Sequence, residues 1–441
     1  MTAVIGILNK KGVALAADSA ITWSSQDSDE EKVTKNGNKM IRLSNAVPIC
    51  VMTTGNADFM QTPWEIIARY YREHRGDIKH ETVEACMHDF FRFIADHSLF
   101  IDHERVRHNI RKRLNNLFNY VDREIDEKYK QRNKEDVLKA PRGYQKAFES
   151  ILKDLCKNWL KHGISCQFHD YTLQDFQKYT KEIFDEYIQE QSYEEDDFIK
   201  LSPYSRTLLM VLRQPLEETL MTWYSTRQSK ARSHSELVFS GYGEKQDYPS
   251  LVSTVVCEGV DSRVNYHTLP EDVICISDKH PVAICSFAQD DIIRSILHGI
   301  HKDFSNAIVN TIYRLFSPSG FAIFDTTDDG IDYISFFDKL GEVKTDDIIK
   351  NFKKDAIRYI RSNHRKWEKA LEDYDLQSMA ALAESLIDLT GFHRILTFQQ
   401  EGVGGPVDVA VISKNDGFVW LNRKSWYHHK DVGGRYGKLG V

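Results

Sequence analysis

The sequence predicts an α/β protein in which two β-sheets stack face to face with helices outside them, a four-layer α-β-β-α sandwich carrying a helical insertion. Three observations lead there. Strand-like apolar runs fall into two sets separated by a long helical stretch. The runs are near-continuously hydrophobic rather than alternating, so both of their faces are expected to be buried. Helical patterns follow each set, which supplies the outer layers.

In chain order, Ala3 to Leu8 and Val13 to Ala17 are short apolar runs joined by Asn9-Lys10-Lys11-Gly12, a turn composition, and predict a hairpin of buried strands. Ser24 to Asn38 is polar and charged and predicts an exposed loop. Met40 to Leu43 and Val47 to Thr53 predict another strand pair, and Thr62-Pro63 supplies cap and first-turn residues for a helix. Trp64, Ile67, Tyr70 and Tyr71 share one face of that helix, and Val83, Met87, Phe90 and Ile94 mark a second. Residues 100–235 are charged and helical, with apolar stripes at Phe148, Ile151, Leu152, Leu155 and Trp159 and at Leu208, Leu209, Leu212, Leu216 and Leu220. Strands return at Leu237 to Gly241, Leu251 to Cys257, Val264 to His267, Val273 to Ile276 and Val282 to Phe287. Helices are expected at Asp290 to Phe316, Asp346 to Tyr374 and Leu376 to Leu389. A last pair, Val407 to Ser413 and Phe418 to Leu421, flanks the turn Lys414-Asn415-Asp416-Gly417. The expected organisation is residues 1–99 as the first part of the sandwich, 100–235 as the insertion, and 236–441 as the second part with additional helices.

Composition narrows the function classes. Of 441 residues, 41% are hydrophobic and only 10 are proline, so a packed core is expected rather than a disordered chain. A net charge of −7 argues against a dedicated nucleic-acid binder, and the basic run Arg105 to Arg113 reads as a solvated helix face. No apolar run approaches the roughly 20 residues of a membrane span, and the N-terminus lacks the pattern of a signal peptide. Cys50, Cys86, Cys156, Cys166, Cys257, Cys275 and Cys285 are scattered without metal-type spacing, which fits buried reduced thiols in a cytoplasmic protein. His103, His108, His428 and His429 form no metal pattern, and Gly402-Val403-Gly404-Gly405 precedes a strand rather than the helix a phosphate loop needs.

The chemistry-bearing residues cluster near the start of the chain. Removal of Met1 would expose Thr2 as an N-terminal residue carrying a hydroxyl nucleophile and an α-amine. The reference pKa of such an amine, about 7.7–8.0, suits a general base at neutral pH. Asp18 closes the second apolar run, and an acid at the end of a buried strand needs a partner. Lys39 opens the third strand; near Thr2 it would lower the hydroxyl pKa, with Asp18 orienting it. The alternative for this pair is a strand-end carboxylate and a solvated loop lysine.

The stretches MTAVIGILNKKGVALAADSAIT, KMIRLSNAVPICVMTTGNAD and GGPVDVAVISKNDGFVWL resemble proteasome β-subunits and the bacterial heat-shock peptidase related to them, members of the N-terminal nucleophile (Ntn) hydrolases. The resemblance covers about residues 2–95 and 237–300, and more weakly 376–421. It implies Thr2 as nucleophile, Asp18 and Lys39 as its supporting pair, and a backbone N–H at Thr54 or Gly55 as oxyanion donor, the register being open by one residue. The loop between Asp18 and Lys39 is longer than in the family. The family's assisting serine turn is replaced by Gln289, Asp290 and Asp291, and its late aspartate and serine fall at Gln400 and Val403. Residues 100–235 have no counterpart in the ring-forming subunits.

The expected function is therefore an N-terminal threonine peptidase cleaving amide bonds in a peptide or protein substrate, with no cofactor and no metal. The alternatives are a non-peptide amidase of the same superfamily and a non-catalytic scaffold that binds a partner protein through its insertion. A cytoplasmic location, no nucleic-acid or membrane partner, and a small homo-oligomer such as a dimer complete the expectation.

Overall fold

The computed structural model describes residues 3–24, 31–34, 37–130, 141–193, 204–227, 234–288, 291–299, 307–308, 345–397 and 404–424. The strands that carry the argument are β1 (Ala3–Asn9), β2 (Gly12–Ala17), β3 (Ile21–Ser24), β4 (Glu31–Thr34), β5 (Met40–Arg42), β6 (Ile49–Gly55), β7 (Ser235–Gly241), β8 (Ser250–Val260), β9 (Arg263–His267), β10 (Val282–Ala288), β11 (Asp408–Ser413) and β12 (Gly417–Asn422). The helices are α1 (Trp64–Arg75), α2 (Val83–Asp96), α3 (His103–Lys130), α4 (Pro141–Leu160), α5 (Leu173–Gln191), α6 (Arg206–Ser225), α7 (Asp291–His298), α8 (Thr345–Asp373) and α9 (Leu376–Leu396). The protein is mixed α/β with antiparallel sheets. It divides into two compact units, residues 1–39, 247–249 and 275–441 in one and residues 40–246 and 250–274 in the other.

In the first unit the sheet order is β10-β1-β2-β11-β12, all antiparallel. The Asn9–Gly12 turn closes β1 on β2, and Ser413 pairs with Gly417 across the Asp-Gly turn. Strand alternation sends Ala3, Ile5, Ile7, Ala14 and Ala16 to one face, where they meet Met379, Ala380, Ala383 and Ile387 of α9 and Ile293 of α7. The small residues of β2 let α9 lie close to the sheet, and each large aliphatic side chain buried there stabilises the unit by about 1.5–3 kcal/mol. Val4, Leu8, Val13 and Leu15, pointing the other way, are buried as well. Asn9 is buried because its amide donates to the carbonyls of Leu371 (3.0 Å) and Tyr374 (2.9 Å), closing the end of α8. Asp375 then caps α9 through the Ser378 N–H at 2.6 Å.

In the second unit the order is β9-β8-β7-β6-β5, again antiparallel. Ile49, Val51, Leu237, Phe239, Val252 and Val256 face the helices and join Trp64, Tyr71, Phe90 and Phe91 of α1 and α2 in one core. Phe91 stacks on Tyr266 of β9 at 4.0 Å between ring centroids. The same core continues through Phe118, Phe148, Phe184, Leu212, Leu216 and Leu220 of α3 to α6. The stripes at Trp159, Leu212 and Leu216 are thus buried within the chain. No helix among the described residues is long and apolar enough to cross a membrane.

Several sequence-based boundaries shift. Part of the expected loop Ser24 to Asn38 forms a hairpin, β3 with β4 in the register Ile21↔Thr34 to Ser24↔Glu31, because a ladder satisfies backbone groups that a polar composition does not reveal. Helix α9 runs to Leu396 rather than Leu389. Thr390 and Gly391 are buried in it, the Thr390 hydroxyl donating to the Leu386 carbonyl at 2.8 Å. Of the helix expected over Asp290 to Phe316, Asp291–His298 is helical, and residues 290, 300–306 and 309–316 lie outside the described ones. The basic run of α3 is half-exposed rather than freely solvated, with His108 and Lys112 exposed and three arginines paired. Arg107 pairs with Glu186 (2.6 Å), Arg111 with Glu190 (2.6 Å), and Arg113 with Glu258. Cys166 and Cys275 are exposed, unlike the buried Cys50, Cys86 and Cys285.

Between α1 and α2 lies a buried polar group. The Tyr71 hydroxyl donates to Asp89 Oδ2 (2.9 Å), Arg75 donates to Asp89 Oδ1 (3.0 Å), and His80 Nε2 stands 3.0 Å from the Tyr71 oxygen. Since that hydroxyl proton is spent on Asp89, His80 is the donor in the last contact. Burial lowers the His80 pKa and Arg75 adds to this, against the pull of Asp89. A histidine whose folded pKa is depressed contributes stability that is present above its unfolded value, about 6.5, and is lost as pH falls through the folded value. Unfolding midpoints measured against pH are therefore expected to drop on acidification below about 6.5. The His80→Gln variant should lose that component of the slope.

Candidate active site

The end of β2 places Asp18 at a chain exit, where its carboxylate replaces ladder partners for three separate segments. Asp18 Oδ1 accepts the Ala3 N–H at 2.9 Å, and Oδ2 accepts the N–H of Ala20 at 3.2 Å and of Gly404 at 3.1 Å. The Asp18 N–H in turn donates to the Ala3 carbonyl at 3.1 Å, so Ala3 is held at both its amide and its carbonyl. The fourth donor is Lys39, whose Nζ lies 2.7 Å from Oδ1. A carboxylate has room for about four such donors, and Asp18 is 1% exposed.

Lys39 is 4% exposed, which overturns the solvated-lysine alternative. Burial pushes its pKa below the ordinary amine value; Asp18 opposes this by charge and hydrogen bond, and the nearby Lys424 ammonium adds to the lowering. Among the described residues Asp18 is the one hydrogen-bond acceptor for the Lys39 amine, a group that carries three N–H bonds when protonated.

Sequence reasoning missed three contributors. Gly404, set aside with its glycine run, gives its N–H to Asp18 and its carbonyl to the Ser19 N–H at 3.2 Å. It does so at φ +148°, a conformation that favours glycine. Asp408 and Lys424 form a second buried pair at 2.5 Å, with both side chains 4% exposed. Asp408 opens the apolar run of β11, the same signal that singled out Asp18, and it sits opposite Ala17 in the ladder.

Thr2 lies outside the described residues, as do Gln289, Asp290, Gln400 and Val403. Asp291, at the first turn of α7, accepts contacts of 2.6 Å and 2.7 Å from Arg394 Nη2 through its two carboxylate oxygens, and its carbonyl accepts the Ser295 hydroxyl at 2.6 Å. Thr54 and Gly55 end β6 in the second unit. Thr54 is buried and Gly55 is exposed at φ +76°. A Cβ on Gly55 would stand 2.3 Å from the His234 carbonyl oxygen, which already accepts the Asn56 N–H at 3.0 Å. Gly55→Ala is accordingly expected to cost about 1–3 kcal/mol in urea unfolding, from strain at positive φ and the clash together. A cost near zero would mean that the turn relaxes freely.

A comparison with known protein families and a search of the curated proteins found no match to this chain.

Proposed function

We propose that this chain is an N-terminal threonine hydrolase of the proteasome-like kind, cleaving peptide amide bonds with Thr2 after removal of Met1. The observation that carries the reading is the shared carboxylate. Asp18 Oδ1 binds both the Lys39 amine and the N–H of Ala3, the amide that joins residue 3 to Thr2. Adjacent Cα atoms are about 3.8 Å apart, so the residue bonded to Ala3 has a short reach to that pair. A buried amine with one acceptor among the described residues also favours an enzyme over a scaffold, which gains nothing from it. The four-layer α-β-β-α sandwich expected from the sequence belongs to the same proposal.

The reaction then runs in two steps. The Thr2 hydroxyl oxygen attacks the substrate carbonyl carbon while the Thr2 α-amine, directly or through water, takes the hydroxyl proton. Lys39 favours the developing alkoxide electrostatically and Asp18 holds Lys39 in place. The family resemblance implies an N–H at Thr54 or Gly55 as the oxyanion donor. The C–N bond breaks, the amine product leaves with the proton, and an ester remains on Thr2. Water, deprotonated by the same α-amine, attacks the ester, releases the acid and restores the hydroxyl.

Incubation with a mixed short-peptide library and with a panel of small amides, each read by mass spectrometry, tests this. Cleaved peptides in the wild type and none with Thr2→Ala are expected. Cleavage of small amides alone would replace the peptidase reading with the amidase one, and equal products from Thr2→Ala would remove Thr2 from the mechanism.

A further inference from the structure

Lys424 follows β12, yet its side chain turns inward, with 4% exposure. Its ammonium has three N–H bonds and three acceptors. Asp408 Oδ2 lies at 2.5 Å, the Gly37 carbonyl at 2.7 Å and the Ser19 hydroxyl oxygen at 3.1 Å. These belong to β11, to the segment two residues before Lys39, and to the residue after Asp18. Asp408 is fixed in turn, since its Oδ1 accepts the Lys424 backbone N–H at 2.9 Å. Ser19 donates its hydroxyl to the Pro406 carbonyl at 2.7 Å, and its own carbonyl accepts the Gly37 N–H at 2.8 Å. Gly37 is therefore gripped at both its N–H and its C=O.

We propose that Lys424 is a positioning residue for the Lys39–Asp18 pair, its ammonium tying Ser19 and Gly37 to the end of the β11–β12 hairpin and so fixing where the Lys39 amine stands. The division of labour between the two lysines follows from their partners. All three donors of Lys424 are spent within the fold, whereas Lys39 has one acceptor among the described residues. Lys424 also brings a second positive charge toward Lys39, and a like charge disfavours the protonated amine. The charged groups facing Lys39 among the described residues are Asp18 from the end of β2 and Lys424 from beyond β12, with Asp408 of β11 behind Lys424. The catalytic consequence rests on the hydrolase reading; the positioning role does not.

The experiment combines lysine labelled with ¹³C at Cε, followed by NMR against pH, with amide hydrogen exchange over residues 37–39. The Lys39 signal is identified by its loss in Lys39→Met. In Lys424→Met the Lys39 titration midpoint is expected to move upward and the 37–39 amides to exchange faster. Lys424→Arg, which keeps the charge and donors, should restore both. Because Lys424→Met leaves Asp408 buried without its cation, the double variant Asp408→Asn/Lys424→Met provides a folded alternative in which the faster exchange persists. Acylation of Thr2 by a β-lactone should slow about tenfold or more in Lys424→Met, with its pH limb displaced in the same direction as the Lys39 midpoint. An unchanged midpoint and unchanged exchange in the folded single or double variant would overturn the proposal. A shifted Lys39 midpoint in a protein whose Thr2 never acylates would leave Lys424 in its role and remove the hydrolase reading.

Discussion

Replacing Lys39 by methionine is expected to slow β-lactone acylation of Thr2 at least about a hundredfold at neutral pH, the low end of what a positioned acid–base group contributes. Methionine keeps the length and apolar stem of lysine but supplies neither charge nor donor. The substitution strips one of four donors from Asp18 and leaves the Ala3, Ala20 and Gly404 amides in place. The fold should therefore survive, with circular dichroism unchanged and a modest loss of thermal stability. Because Lys39 is buried rather than the solvated loop lysine of the alternative reading, Lys39→Ala, which also opens a void, should be less stable than Lys39→Met. Acylation within a few-fold of wild type in folded Lys39→Met would move the chemistry away from this lysine.

Asp18→Ala is expected to be the most damaging single change to stability near the site. It strands three backbone N–H groups and a buried ammonium at once. Breaking a buried ion pair by removing one partner typically costs about 3–5 kcal/mol, and unsatisfied amides add to that. Urea unfolding should show a loss of that order, together with loss of Thr2 acylation. Asp18→Asn retains one acceptor oxygen and should lie between the two. A cost for Asp18→Ala below about 1 kcal/mol would contradict the geometry in which this carboxylate joins β1, Lys39 and the approach to β11.

How much of this was legible in the sequence depends on whether the signal was local. The strands of both sheets read correctly because they are nearly continuous apolar runs, but the expected burial of both faces fails at the edge strand β12, where Val419 and Leu421 are exposed. Asp18 stood out as an acid at the end of one of them. Lys39 was named by its neighbourhood and by family resemblance, but not its burial, which depends on segments distant in sequence. Asp408 carried the same local signal as Asp18 and went unread because its partner lies 16 residues on, past the end of the next strand. Lys424 offered no local signal at all, since its three acceptors come from residues 19, 37 and 408. The basic face of α3 misled for the same reason. Nothing within the helix announces that Glu186, Glu190 and Glu258 will meet its arginines. Gly404 was weighed as a phosphate-loop glycine, and its use as an amide donor to Asp18 exists only in the folded chain.

The central claim is that Thr2, freed of Met1, is the nucleophile held beside the Lys39–Asp18 pair. Intact-mass and N-terminal sequence analysis of the purified protein, before and after treatment with a β-lactone, tests it most directly. The account predicts a mature chain beginning at Thr2 and one added lactone mass, which peptide mapping assigns to Thr2 and which Thr2→Ala abolishes. Full acylation or activity in protein that demonstrably retains Met1, or an adduct that persists in Thr2→Ala, would contradict it.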